Sequence, residues 1–135
     1  LIPRLASLHI RSHFSHTNII SDFNSLIGRS TSITSLSIPE DYIYHLDERA
    51  RTVIRDRIID FRMVVAPNSN GHNLTSILDG GKAIKKVILD GTYFAINQQA
   101  THKIFETLGA ACKKKEIELW KENFKHYNGR MNLDL

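Results

Sequence analysis

Five times along this 135-residue chain, three apolar positions recur in the spacing apolar-x-x-apolar-x-apolar. The copies are Leu5/Leu8/Ile10, Ile33/Leu36/Ile38, Ile58/Phe61/Met63, Ile84/Val87/Leu89 and a degenerate Lys114/Ile117/Leu119. Their starts lie 28, 25, 26 and 30 residues apart. A period of that length signals a stacked repeat, in which each unit buries its apolar face only against its neighbours. Such a stack constrains architecture strongly and activity weakly, because it presents a surface for holding something.

The segments between the triplets carry helical spacing. Ile19, Ile20, Phe23, Leu26 and Ile27 share one face, with Thr17 or Asn18 able to cap and Gly28 to terminate. Pro39-Glu40-Asp41 reads as a turn, followed by a stripe of Leu46, Ala50, Val53 and Ile54. Residues 66–71 are the loosest stretch, leading to a short helix through Leu74, Ile77 and Leu78 that Gly80-Gly81 stops. After the fourth triplet, Asp90-Gly91 turns into a long helix from about Asn97 to Cys112, and the last strand covers Ile117 to Trp120.

Strand followed by helix, four times over and ending on a strand, fits two α/β architectures. A flavodoxin-like doubly wound sheet is covered on both faces, so its strands read as unbroken aliphatic runs. Here polar residues interrupt the strands: Ser7 and His9, Ser35 and Ser37, Asp60 and Arg62, Lys85 and Lys86, Glu116 and Glu118. One sheet face must therefore be wet. The expected fold is a short right-handed β-α solenoid, with a parallel sheet on one face and helices on the other. Residues 1–135 form a single domain of about five repeats, and the start at Leu1 fits a processed chain or a piece of something larger.

The pattern resembles the leucine-rich repeat in its longer strand-plus-helix form, as in ribonuclease-inhibitor-like proteins. The resemblance rests on Leu5-x-x-Leu8-x-Ile10, Ile33-x-x-Leu36-x-Ile38, Ile58-x-x-Phe61-x-Met63 and Ile84-x-x-Val87-x-Leu89, and covers about residues 5 to 121. That family carries an asparagine three places after the last apolar residue, where it bonds loop backbone and ties repeats together. Here those places hold His13, Asp41, Ala66, Thr92 and Glu122. Asp41 and Thr92 have the chemistry for part of that role, and Ala66 does not. The resemblance implies a non-catalytic module that binds a protein partner, or an accessory subunit of a larger complex.

Counting along the strands places on the exposed face Ser7, His9, Arg11, Ser35, Ser37, Pro39, Asp60, Arg62, Val64, Lys86, Ile88, Asp90, Glu116, Glu118 and Trp120. Within it, His9, Arg11, Asp60, Arg62, Lys86, Asp90, Glu118 and Trp120 are the candidate partner-binding residues, since Trp and Arg most often anchor protein interfaces. No catalytic constellation emerges, and no cofactor or metal is expected. His9 and His13 on one strand would lie roughly 13 Å apart, too far to share an ion. Cys112 closes an apolar helix face, as a core cysteine does.

Net charge is +4 with a pI near 9.3. Lys113, Lys114 and Lys115, with Lys121 and Lys125, make a basic end that Glu116, Glu118 and Glu122 interrupt. An RNA- or ribosome-associated protein using such patches is therefore the second functional reading, and a small α/β enzyme the third. A lone cysteine excludes an internal disulfide framework and points to a reducing, intracellular compartment, with cytoplasm, nucleus and mitochondrial matrix undistinguished. No apolar run is long enough to span a bilayer.

Overall fold

A computed structural model describes residues 5–10, 17–67, 69–94, 98–124 and 131–132. In chain order the elements are β1 (Ser7–His9), α1 (Thr17–Arg29), β2 (Ser35–Pro39), α2 (Asp41–Tyr44), α3 (Glu48–Arg57) and β3 (Asp60–Val64). They continue with α4 (His72–Gly80), β4 (Lys86–Asp90), α5 (Gln98–Lys114), β5 (Glu118–Glu122) and β6 (Met131–Asn132). The chain is α/β. Its sheet follows sequence order from β1 to β6, with β1 to β5 all parallel and β6 antiparallel to β5. Among the described residues, no helix is long and apolar enough to cross a membrane.

Alternation along each strand decides what lies inside. Leu36, Ile38, Phe61, Met63, Val87, Leu89 and Leu119 are buried, and join one cluster with helix residues such as Phe23, Ile27, Ile54, Ile77, Leu78 and Leu108. The residues between them include exposed Asp60 and Glu118 and half-buried Arg62, Val64, Lys86, Ile88 and Trp120. The polar interruptions thus mark a wet sheet face.

Register shows where the repeat changes phase. Leu8, Leu36, Phe61 and Val87, the middle residues of the first four triplets, stand side by side. The next partner of Val87 is Leu119, so the fifth unit aligns as Glu116/Leu119/Lys121 and not as Lys114/Ile117/Leu119. The correction is a shift of two residues, which keeps every side chain on its face. It moves the fifth loop position from Glu122 to Phe124. It also puts Lys121 in the row of Ile38, Met63 and Leu89. There Lys121 is 3% exposed, with Nζ 4.9 Å from the centroid of the Phe105 ring. Burial disfavours its charged form and lowers its pKa. Lys121 is therefore not part of a surface basic patch, and Lys125 lies outside the described residues.

The helix ends follow local chemistry. Asp47 Oδ1 accepts from Ala50 N at 2.8 Å, capping α3. Asn24 of α1 fastens the same turn, accepting from Asp47 N at 3.0 Å and donating to the carbonyl of His45 at 2.9 Å. Gly28, expected to end α1, lies inside it, and the helix runs on to Arg29. Gly71 adopts φ +86° just before α4, a conformation that favours glycine. At the far end, Phe124 meets Phe94 and Phe105 edge-on, with centroids 5.9 and 4.8 Å away. A Cβ on Gly91 would overlap the Phe124 ring, so the turn after β4 requires glycine there. Cys112 is buried in the core, and desolvation pushes its thiol up to about 11.

Candidate binding face

The parallel register arranges the wet face in rows. One row reads Ser7, Ser35, Asp60, Lys86, Glu118; the next reads His9, Ser37, Arg62, Ile88, Trp120; a third reads Pro39, Val64, Asp90, Glu122. Seven of the eight candidate residues fall within these rows. Arg11 lies outside the described residues. Neighbouring strands sit about 4.8 Å apart, so side chains within a row touch or bridge.

Their exposure is uneven. His9, Asp60 and Glu118 are exposed, while Arg62, Lys86 and Trp120 are half-buried. Three residues assigned to the exposed face are instead buried: Ser37, Pro39 and Asp90. Asp90 is covered because its neighbours bond to it from three directions. Its Oδ1 accepts from Thr92 N at 2.9 Å, from the Thr92 hydroxyl and from Asn123 Nδ2 at 3.2 Å. Its Oδ2 lies 3.2 Å from Arg62 Nη2, and the same guanidinium pairs with Glu122. Burial alone would raise the Asp90 carboxyl; the Thr92 hydroxyl and N–H, the Asn123 amide and Arg62 outweigh it and hold it below the usual carboxylate range.

A second carboxylate ties the loops farther along the same edge. Glu40, only 2% exposed, accepts from Ala66 N at 2.9 Å, the Ser69 hydroxyl at 2.8 Å and Asn73 Nδ2 at 3.2 Å. The loop-tying role that the family resemblance places at Asp41 and Thr92 thus falls on Glu40 and Asp90. Thr92 takes part as a donor, and Ala66 takes part through its backbone N–H.

Two open depressions, each of 240 Å³, lie on the wet face and share His9 and Arg62. One extends to Val64, Asp90, Thr92 and Tyr93, and the other to Ser35, Ser37, Asp60, Lys86 and Ile88. Ser37 is 7% exposed, and its Oγ has no hydrogen-bond partner among the described residues. Lys86 leans over Trp120, with Nζ 5.8 Å from the ring centroid. Across β2 to β5 the face holds four carboxylates (Asp60, Asp90, Glu118, Glu122) against two cations (Arg62, Lys86). A chain with net positive charge therefore carries a locally acidic sheet face.

Two residues of this surface escape sequence reasoning. Glu122 follows Trp120 by two positions, so extending the alternation would have found it. Tyr93, 48% exposed, sits in a turn where alternation has no force. Among the described residues, no three His, Cys, Asp or Glu side chains gather as metal ligands. Comparison with protein-family models, curated proteins and solved structures finds no match.

Proposed function

We propose that this chain is a stacked strand–helix module of leucine-rich-repeat-like type that binds a protein partner through its wet sheet face, without catalysis of its own. The reading rests above all on Ser37. A hydroxyl that is buried and unbonded costs about 1–3 kcal/mol, and it lies at a depression bordered by His9, Asp60, Arg62 and Lys86. A partner side chain or peptide group seated there supplies the missing hydrogen bond. The sequential parallel order supports the stacked-repeat part of the proposal, because adjacent repeats then present their exposed residues in straight rows.

The acidic balance of the face favours a basic or donor-rich segment. Asp60 and Glu118, both exposed, flank Lys86 in one row and offer the accessible carboxylates. Arg62 is already engaged by Asp90 and Glu122, so it orders the face more than it reaches outward.

The test compares affinity-purified partners of the wild type with those of Asp60→Lys/Glu118→Lys and Ser37→Ala. The charge reversal should remove specific partners while leaving the melting temperature within a few degrees. Ser37→Ala should weaken capture without loss of stability, because it deletes an unsatisfied group. A partner profile unchanged in both variants would defeat the proposal.

A further inference from the structure

The parallel order sorts the chain's charge between the two edges of the sheet. Every helix-to-strand connection must lie at the edge where strands begin, and every strand-to-helix connection at the edge where they end. The connections at residues 29–34 and 55–59 bring Arg29, Arg55 and Arg57 to the first edge. Those at 79–85 and 112–117 add Lys82, Lys85, Lys113, Lys114 and Lys115. Eight cations thus face three carboxylates, Asp56, Asp79 and Glu116. At the opposite edge, with the first helical turns included likewise, residues 39–51, 65–75, 91–94 and 98–101 contain Glu40, Asp41, Asp47 and Glu48 against Arg49 and Arg51.

Contacts across the repeats show that the first edge is continuous. Arg57 donates to the carbonyl of Thr31, Arg55 to that of Ser76 at 3.2 Å, and Lys115 to that of Asp79 at 3.1 Å. The backbone N–H groups of Lys82 and Ala83 both reach the carbonyl of Arg55, at 2.9 and 3.1 Å. Part of the positive charge answers the helix C-termini, where cations offset the macrodipole. Lys113 and Lys114 close α5 in this way, whereas Lys82 and Lys85 lie beyond the end of α4 and exceed that need. All four are exposed, and among the described residues none pairs with a carboxylate.

We propose that this edge binds the sugar-phosphate backbone of a nucleic acid, independently of the sheet face. The cations come from four connections that follow one another in strand order, which suits a polymer of phosphates better than a single anion. Three steps between neighbouring repeats cover about 15 Å at the strands, at roughly 4.8 Å each. They cover up to about 30 Å at the helices, at 8–10 Å each. A strand with a phosphate every 3.4 Å or so places about four to eight of them along that length. A lipid surface fits less well. The connections offer Ile59 as their one exposed large apolar side chain, and no amphipathic helix for insertion.

The test measures fluorescence anisotropy of labelled oligonucleotides of about 20 residues, one single-stranded RNA and one DNA duplex, from about 50 to 200 mM salt. Four phosphate contacts predict a slope of log affinity against log salt of about −2.8 for the single strand and about −3.6 for the duplex. Lys82→Gln/Lys85→Gln/Lys113→Gln/Lys114→Gln should lose about tenfold or more in affinity at low salt and flatten that slope. The same positions changed to Arg should retain binding, which separates charge from a folding defect. Arg49→Gln/Lys103→Gln, which removes exposed cations elsewhere, should change affinity by only about twofold. A preference between RNA and duplex identifies the form bound. Absence of binding to either at low salt would overturn the proposal, as would equal loss in the control pair. Co-sedimentation with vesicles rich in phosphatidylserine runs in parallel, and binding confined to those vesicles would overturn it too.

Discussion

Glu40 and Asp90 do the same work in different surroundings. Each is a carboxylate at the exit of a strand that gathers donors from a neighbouring unit, and Asp90 adds Thr92 from its own following turn. Glu40 is closed off, held by a backbone N–H, a hydroxyl and an amide. Asp90 shares its second oxygen with Arg62, and through Arg62 joins Glu122 at the rim of the wet sheet face. One tie belongs to architecture alone, whereas the other also shapes a surface. Two strand-exit carboxylates of one sheet can thus differ in that one is linked to the wet face and the other is isolated from it.

The largest break should come at Glu40. Glu40→Ala strands the half-buried Ala66 N–H and removes three hydrogen bonds to one carboxylate, so it should lower stability by about 3 kcal/mol. Denaturant unfolding reads this directly, and a loss under 1 kcal/mol would show that the loop 66–71 does not depend on it. Asp90→Ala should follow at about 2 kcal/mol, since two of its partners retain some access to water. In addition it should weaken partner capture, which Glu40→Gln should leave intact. Equal binding defects in the two variants would erase the distinction between the ties.

A pH series sharpens the same contrast. Because the folded Asp90 carboxyl sits below its unfolded value of roughly 3.9, its contribution is present above that pH. The contribution is lost as pH falls through the lower folded value. Melting temperatures followed from neutral pH into this acid range should therefore decline less steeply in Asp90→Asn. Identical slopes would mean that the bonds seen at Asp90 do not favour its charged form. The smallest effect belongs to Glu122→Gln, which removes one half-exposed partner of Arg62. It should shift stability by under about 1 kcal/mol, and a larger loss would place Glu122 among the architectural ties.

Much of the fold was legible because strand alternation and helix spacing are strong signals. Four triplets fall into register as spaced, and the wet face follows from their polar interruptions. The fifth did not, because Lys114/Ile117/Leu119 and Glu116/Leu119/Lys121 share parity, and a lysine is a poor marker of a buried row. For the candidate site, alternation assigned faces and could not see coverage. Asp90 points to the expected side and is still buried, because Thr92, Asn123 and Arg62 converge on it from segments up to 33 residues away. Glu40 carries only a turn signal in the sequence, since nothing local announces that Ser69 and Asn73 will reach it.

Gly91 gives the far end of the module an unusual kind of lock. Its missing side chain is the socket into which the Phe124 ring fits, and that ring in turn contacts Phe94 and Phe105. Three segments (the turn after β4, helix α5 and the exit of β5) therefore converge on a space that a single methyl group would fill. The last parallel unit is seated by a vacancy kept open one strand earlier, so its position is inherited from its neighbour and not encoded within itself.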